Sequence, residues 1–144
     1  MLLLAGGIGT TPALSMFREL AASAQSSDAV DRVHLVWSVR SASMLSLFAA
    51  ELQRLASPSF EVTCFVTGGG GGPDHGAQQQ PADVKHGRPN IPSLVASAAS
   101  AATATAARPS NLLVFACGPT PLVSAARDAA VATGAAFHSE TFEL

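Results

Sequence analysis

The 144-residue sequence contains no tyrosine, one tryptophan and few charged residues. Charged side chains make up 12% of the chain, whereas about a quarter is usual in globular domains. Because the formal net charge is −2, no excess of positive charge favours binding to nucleic acid or to an anionic membrane surface. The shortage of aromatic residues also argues against a surface on which bases stack. The composition therefore excludes nucleic acid as an expected partner.

Other absences restrict the class of protein further. Two cysteines, Cys64 and Cys117, are too few for a disulfide framework, and both lie in apolar segments. No apolar run is long enough for a membrane-spanning helix, and the N-terminus lacks the features of a signal peptide. The histidines show no paired spacing typical of metal ligands, so we expect no metal site. We expect a soluble domain from a reducing compartment.

Apolar segments alternate with helical patterns along the chain. Strands are predicted at residues 1–5, 33–39, 60–66, 112–116 and 136–142, and helices at about 12–25, 44–55, 91–107 and 119–133. This alternation predicts an α/β fold, namely a Rossmann-like, doubly wound, five-stranded parallel sheet with helices on both faces. Residues 68–86, which begin with five consecutive glycines, predict a flexible loop inserted into this domain.

The stretch AGGIGTTP, residues 5–12, joins the first predicted strand to the first predicted helix. Glycines at positions 6, 7 and 9 permit close backbone approach, and Thr10 and Thr11 add hydroxyl donors. The helix N-terminus offers free N–H groups and partial positive charge, which suit a diphosphate. No GK[ST] sequence follows, so the stretch is not a Walker P-loop. The pattern predicts a dinucleotide-binding turn, and a tight turn without a ligand is the alternative.

Two further strand ends carry hints about the ligand. The second predicted strand ends in Ser38-Val39-Arg40-Ser41, without the acidic residue that usually binds the ribose of NAD. Arg40 suits a 2′-phosphate, as in NADP, unless it is a solvated loop residue. The fourth strand ends in Cys117-Gly118-Pro119, which turns sharply and leaves the thiol at the ligand edge. The alternative for Cys117 is a buried structural cysteine.

Three motifs, AGGIGTTP, VFACGP and HSETFEL, occur in an order and at a spacing that resemble a known family. The chain resembles the NAD(P)H-binding C-terminal domain of the ferredoxin-NADP reductase superfamily, and more narrowly its ferric reductase and NADPH oxidase branch. Gly87-Arg88-Pro89 is similar to the GRP element found there between the third and fourth strands. The resemblance covers nearly the whole chain, apart from the glycine- and glutamine-rich loop and the alanine-rich helix.

The resemblance implies an oxidoreductase domain that passes hydride from NADPH to FAD, with electrons continuing through haem to ferric chelates or dioxygen. The residues that would hold the diphosphate are Gly6, Gly7, Ile8, Gly9, Thr10 and Pro12. Those at the adenosine end would be Ser38, Arg40 and Arg88, the two arginines flanking the 2′-phosphate. Those at the nicotinamide end would be Cys117, Gly118 and Pro119, with Glu140 near the hydride-transfer centre and Phe142 covering the flavin ring.

The sequence departs from this family in what it does not contain. A flavin-binding barrel precedes the domain in such enzymes, and neither a flavin-binding segment nor haem-ligating helices are found here. We therefore expect residues 1–144 to be an NAD(P)H-binding fragment, inactive by itself, whose FAD-binding domain acts in cis or in trans. The full protein would lie at the cytosolic face of a membrane, with membrane contact only through missing segments. Two alternatives are a non-catalytic nucleotide-binding or interaction domain left by truncation, and a small cytosolic flavin reductase partnered in trans.

Overall fold

The computed structural model describes residues 1–24, 32–69, 83–105 and 112–141. The strands are β1 (Leu2–Gly6), β2 (Val33–Val39), β3 (Phe60–Val66), β4 (Val84–His86), β5 (Leu113–Cys117) and β6 (Ala136–Glu140). The helices are α1 (Thr10–Ser23), α2 (Ala42–Ser46), α3 (Ala49–Leu55), α4 (Ile91–Thr105) and α5 (Thr120–Thr133). A single 3-10 turn, Gly7–Gly9, connects β1 to α1.

All six strands are parallel and form one sheet in the order β4-β3-β2-β1-β5-β6. The chain starts at the centre, runs outward from β1 to β4, and then returns to the other side of β1 for β5 and β6. The strand order therefore reverses between β1 and β5. In open parallel sheets such a reversal opens a crevice beyond the carboxyl ends of the strands, where ligands bind.

Helices cover both faces of the sheet, as the near-continuous apolar strands require. On one face, α1, α2 and α3 pack on a cluster that includes Phe17, Leu35 and Trp37. On the other face, α4 and α5 pack on a second cluster that includes Leu4, Val95 and Val114. The predicted doubly wound α/β architecture is confirmed. Among the described residues, no helix combines the length and hydrophobicity needed to cross a membrane.

The sheet has six strands and not the five that the sequence predicts. The additional strand is Val84–His86, which falls inside the predicted loop over residues 68–86 and pairs with Cys64–Val66 of β3. Three residues, of which only one is apolar, give no periodicity to detect, so only the pairing with β3 defines this strand. The predicted loop over residues 70–82 lies outside the described residues.

The helix predicted over residues 44–55 is two helices, α2 and α3, separated by Leu47 and Phe48. Ser41 caps α2, with its hydroxyl accepting a hydrogen bond from the amide of Ser43. At the break, Phe48 turns its ring edge-on to Trp37, with ring centroids 5.4 Å apart. The sequence does not reveal this break, because the apolar spacing is continuous across it.

Local interactions define other helix ends. Pro12 lies in the first turn of α1, and Gly134 adopts the left-handed conformation that ends α5. The side chain of Asn90 caps α4 by accepting a hydrogen bond of 3.1 Å from the amide of Ser93. The last strand ends at Glu140, two residues before its predicted end, and Phe142 lies outside the described residues.

Candidate functional site

The glycine turn and the Cys117-Gly118-Pro119 turn lie side by side at the reversal of strand order. Ala5 in β1 is the register partner of Cys117 in β5, so both strands end at the same edge of the sheet. The glycine turn leaves β1 there and Gly118-Pro119 leaves β5 there. The structure therefore brings together two of the three motifs in the crevice where the fold places ligands.

The two turns interlock through contacts between glycine backbones. A Cβ atom on Gly9 would overlap the Cys117 carbonyl oxygen and lie 2.6 Å from its carbonyl carbon. A Cβ on Gly118 would lie 2.9 Å from the Cα of Gly6, and a Cβ on Gly6 would lie 2.6 Å from the Cδ of Pro119. Because backbone atoms cannot move aside cheaply, side chains at Gly9 and Gly118 would separate the turns. The glycines are needed for this packing whether or not a ligand is present.

Trp37, in the neighbouring strand β2, supports the glycine turn through a hydrogen bond. The side chain is 1% exposed, and its indole N–H donates a hydrogen bond of 2.9 Å to the carbonyl oxygen of Gly7. The same carbonyl accepts from the amide of Thr10, which begins α1. Gly7 itself has a φ of 56°, a conformation that glycine adopts readily. The turn is thus held in one shape by a buried side chain from the neighbouring strand.

Thr10 offers a buried donor at the N-terminus of α1. The residue is 5% exposed, and within the part of the chain that the structure describes its Oγ1 has no hydrogen-bond partner. A buried hydroxyl without a partner costs free energy, about 1–3 kcal/mol. An anion at the helix N-terminus would give this hydroxyl an acceptor and would meet the positive end of α1. The residues present therefore fit a phosphate group.

Residues predicted for the adenosine end lie along the same edge of the sheet. Ser38 is half-buried and is the register partner of Gly6, while Arg40 follows the end of β2 and is exposed. Arg88 is also exposed and follows β4, after Gly87 donates its amide to the carbonyl of Val66. Since only β3 separates β2 from β4, the two arginines follow strands about 10 Å apart. Both are long enough to meet a group between them.

The residues predicted for the nicotinamide end lie together at the end of β5. Cys117 is fully buried and is the register partner of Glu140 in β6, whose side chain is exposed. Burial raises the pKa of the Cys117 thiol, and the negative charge of Glu140 raises it further. Cys117 is therefore a neutral thiol at physiological pH and not a nucleophile. The Cys117 side chain packs in the same core cluster as Phe17 and Trp37, as the alternative of a buried structural cysteine expects, and its role toward a ligand stays a prediction.

Ile8 and Phe142 are the remaining residues predicted for the site. Ile8, expected to help hold the diphosphate, is 58% exposed in the glycine turn. The role of Phe142 stays a prediction, because the residue lies outside the described ranges. In residues 1–24, 32–69, 83–105 and 112–141, no three metal-binding side chains lie close enough to hold an ion.

Sequence reasoning missed the residues that support the site from neighbouring strands. Trp37 was predicted only as part of a strand and Gly68 only as the start of a loop, and Thr67 was assigned to neither a strand nor the loop. Thr67 and Gly68 donate backbone hydrogen bonds to Val39 and Arg40 respectively. These contacts join segments about 30 residues apart, so no local pattern reveals them. The one available signal was the single tryptophan of the chain, which lies on a predicted strand.

Comparison with protein families gives a match over more than half of the chain. The family model described as the ferric reductase NAD binding domain matches residues 1–80, which include the glycine turn, Trp37 and Arg40. The comparison with curated proteins found no matching sequence.

Solved structures with the same fold include three flavin- or nicotinamide-related proteins. The flavohaem-like FAD/NAD-binding domain of nitric oxide dioxygenase from Vibrio cholerae aligns with 98% of this chain at 18% identity and a TM-score of 0.61. The CS-b5R domains of human Ncb5or in the NAD+ form align with 96% at 20% identity and a TM-score of 0.58. A ferredoxin NADP+ reductase from Neisseria gonorrhoeae with bound FAD and NADP aligns with 97% at 22% identity and a TM-score of 0.65.

The chain spans only part of these proteins. It covers 50% of the Vibrio chain, 35% of the human chain and 55% of the Neisseria chain. At identities of 18–22% these comparisons show a shared fold alone. The shared fold extends over nearly all of the present chain.

Proposed function

This chain belongs to the family of ferric reductase NAD-binding domains, and from that premise we propose that it binds NADPH for a flavin-dependent oxidoreductase. The observation that carries the proposal is the pair of interlocked turns at the reversal of strand order, with the unpartnered hydroxyl of Thr10 buried beside them. A buried donor at a helix N-terminus is costly without an acceptor, and a diphosphate supplies one. Gly6, Gly7, Ile8, Gly9 and Pro12 complete the backbone cradle.

We propose NADPH over NADH because of the charge at the adenosine end. No carboxylate follows β2, where one would bind the ribose hydroxyls of NADH. Arg40 and Arg88 are instead exposed at the ends of β2 and β4 and would converge on a 2′-phosphate. Ser38, next to Gly6 in register, would contact the nucleotide between the diphosphate and this phosphate.

At the other end of the nucleotide, the residues of β5 and β6 would position the nicotinamide. We place the nicotinamide ring against the backbone turn that begins at Cys117, whose buried and neutral thiol would support that turn from the core. Gly118 and Pro119 shape the wall that the ring would meet. Glu140 is exposed at the end of β6, where it would lie near the reacting carbon. We place Phe142 over the flavin ring, from which it would move aside when nicotinamide enters.

The redox chemistry requires a second domain. That domain would hold a flavin, which when bound would supply the chemistry of accepting a hydride and passing electrons on singly. The Neisseria and Vibrio proteins are named for FAD together with NAD(P), and the present chain spans about half of each. We propose that an FAD-binding domain, in cis or in trans, meets the Cys117 side of the site. Haem at a membrane would then carry electrons to a ferric chelate or dioxygen.

The single tryptophan provides a direct test of where NADPH binds. Indole emission overlaps the absorption of reduced nicotinamide, and Trp37 is hydrogen-bonded to the glycine turn. We expect NADPH to quench Trp37 emission with matching sensitised emission from the nicotinamide, and NADP+, which does not absorb there, to give no sensitised emission. The variant Gly9→Val, which would separate the two turns, should lose the signal while remaining folded by circular dichroism. Saturable binding of NADPH without energy transfer from Trp37 would place the nucleotide elsewhere and contradict the proposal.

A further inference from the structure

Thr67 and Gly68, the two residues that follow β3, continue the pairing of β3 with the end of β2 and with Arg40, the next residue. The amide of Thr67 donates a hydrogen bond of 2.8 Å to the carbonyl oxygen of Val39, and the Thr67 hydroxyl donates to the same oxygen at 3.1 Å. The amide of Gly68 donates at 3.0 Å to the carbonyl oxygen of Arg40. Thr67 and Gly68 therefore hold the backbone of Val39, the last residue of β2, and of Arg40, which follows it.

Gly68, the first of the five consecutive glycines, lies in close contact with the backbone of Arg40. A Cβ atom on Gly68 would overlap the carbonyl oxygen of Arg40 and lie 3.2 Å from its carbonyl carbon. The obstructing atoms belong to the backbone, so a side chain at this position forces Arg40 or Gly68 to move. Gly69 differs sharply, because a Cβ there would meet nothing within 4 Å. The need for glycine is thus specific to position 68 within the described part of the run.

Arg40 is also fixed on its other side. Ser41 caps α2 through its hydroxyl, and its carbonyl accepts a hydrogen bond of 3.2 Å from the amide of Met44. The backbone of Arg40 is thereby held between β2 and the start of α2, while its side chain is exposed. An exposed guanidinium can grip a phosphate in a fixed geometry only if its backbone is placed accurately. The contact with Gly68 supplies that placement.

We propose that Gly68 is a specificity-determining residue for the nucleotide, acting as a positioning residue through Arg40. This inference rests on the proposed function, in which Arg40 meets the 2′-phosphate of NADPH. A side chain at position 68 displaces the Arg40 backbone and withdraws the guanidinium from the phosphate. NADH carries no 2′-phosphate, so its binding does not depend on this placement. The start of the glycine run is therefore part of the nucleotide site and not only a linker.

The test compares Gly68→Ala with the matched control Gly69→Ala in the 144-residue chain. Calorimetric titrations use NADPH, NADH and 2′-AMP as probes. We expect Gly68→Ala to weaken NADPH and 2′-AMP about tenfold, the loss expected for one misaligned charge-assisted hydrogen bond, and to leave NADH within about twofold. Gly69→Ala should bind all three as the wild type does. In an Arg40→Ala background, Gly68→Ala should have no further effect on NADPH, because its target is gone.

A milder variant covers the case in which Gly68→Ala does not fold. Thr67→Val keeps the branched shape and the backbone amide but removes the hydroxyl that donates to Val39. It should lower the NADPH-to-NADH preference by about two- to threefold, in the direction of Arg40→Ala. Thermal unfolding of each variant checks that the fold is retained.

The outcomes separate this inference from the function on which it rests. If the wild type prefers NADPH and Arg40→Ala removes the preference, the proposed role of Arg40 stands. Under those conditions, equal behaviour of Gly68→Ala and Gly69→Ala, or an unchanged preference in Thr67→Val, would overturn the role of Gly68 alone. An equal loss of NADPH and NADH affinity in Gly68→Ala would also overturn it. If the wild type shows no preference for NADPH, or Arg40→Ala retains it, the assignment of Arg40 fails first.

Discussion

The indole N–H of Trp37 donates a hydrogen bond of 2.9 Å to the carbonyl oxygen of Gly7 and so links β2 to the glycine turn. The ring is fully buried and packs edge-on against Phe48, at the break between α2 and α3. One side chain thus contacts both the turn that would hold the diphosphate and the segment that follows Arg40. The shape of the site depends on this buried residue as well as on its glycines.

Replacing Trp37 by Phe should therefore impair both stability and binding. The change removes the donor to Gly7 and leaves a smaller ring in a closely packed core, so we expect a loss of about 1–3 kcal/mol in the free energy of unfolding. NADPH affinity should fall several-fold because the turn is no longer held. Chemical denaturation and calorimetry measure the two effects.

The control for this variant is Phe48→Leu. It removes the aromatic partner of Trp37 but keeps the hydrogen bond to Gly7, so stability should fall with little change in NADPH affinity. A Trp37→Phe variant that binds NADPH as tightly as the wild type would show that the hydrogen bond does not shape the site.

Arg40 and Arg88 should determine the choice between NADPH and NADH. Each of Arg40→Ala and Arg88→Ala should weaken NADPH and 2′-AMP about tenfold and leave NADH nearly unchanged, because each removes a charge-assisted contact to the phosphate. The matched control is Arg54→Ala, an exposed arginine in the last turn of α3. If NADPH and NADH lose affinity in parallel, the arginines act through general electrostatics and the assignment fails.

The proximity of Glu140 to Cys117 can be measured through the thiol. Because the charge of Glu140 adds to the effect of burial, Glu140→Gln should lower the pKa of Cys117 while leaving it above its ordinary value. Carbon-13 labelling of the cysteine Cβ atoms allows both thiols to be titrated by NMR in one sample. Cys64, whose neighbouring charge is Asp83, serves as the internal control. No change in the Cys117 titration would place Glu140 away from the thiol.

Cys64 should make the protein less stable in alkali. Burial, with a contribution from the charge of Asp83, raises the pKa of this thiol from 9.0 to about 12. Between these values the unfolded chain has lost the proton and the folded chain retains it, so unfolding releases a proton. The free energy of unfolding should therefore fall as the pH rises from 9, by at most about 1.4 kcal/mol per pH unit from this group.

The contribution of Cys64 is isolated by comparison with Cys64→Ala. The variant should start from a lower stability at neutral pH, because it removes a buried side chain, but should lose less stability per pH unit between 9 and 12. Urea unfolding at several pH values gives the two slopes. Identical slopes would assign the alkaline instability to other groups.

Most of the architecture follows from local chemistry. The apolar strand ending in AGGIGTTP, the proline in the first turn of α1 and the glycine that ends α5 act through their own backbone preferences and can be read from neighbouring residues. The alternation of strands and helices then limits the sheet to a parallel, doubly wound form. The pairing of Ala5 with Cys117 follows from that topology, which explains why two motifs distant in sequence lie side by side.

Features that depend on distant contacts could not be predicted. β4 is defined by the pairing of Val84–His86 with β3, and at the break between α2 and α3 Phe48 contacts Trp37, which lies in another element. The support of Gly7 by Trp37 and of Arg40 by Gly68 likewise joins segments that the sequence places far apart. Residue roles toward the nucleotide, including that of Phe142, stay predictions that binding measurements must test.

The most direct measurement is calorimetric titration of the 144-residue chain with NADPH, NADH and 2′-AMP. The account predicts saturable binding of NADPH and 2′-AMP with weak binding of NADH, which would establish a nucleotide site that reads the 2′-phosphate without a flavin domain. Binding of NADPH and NADH with equal affinity, with none of 2′-AMP, would contradict the role of the arginines. Absence of binding by all three would contradict the central claim that the interlocked turns form a dinucleotide site in this chain.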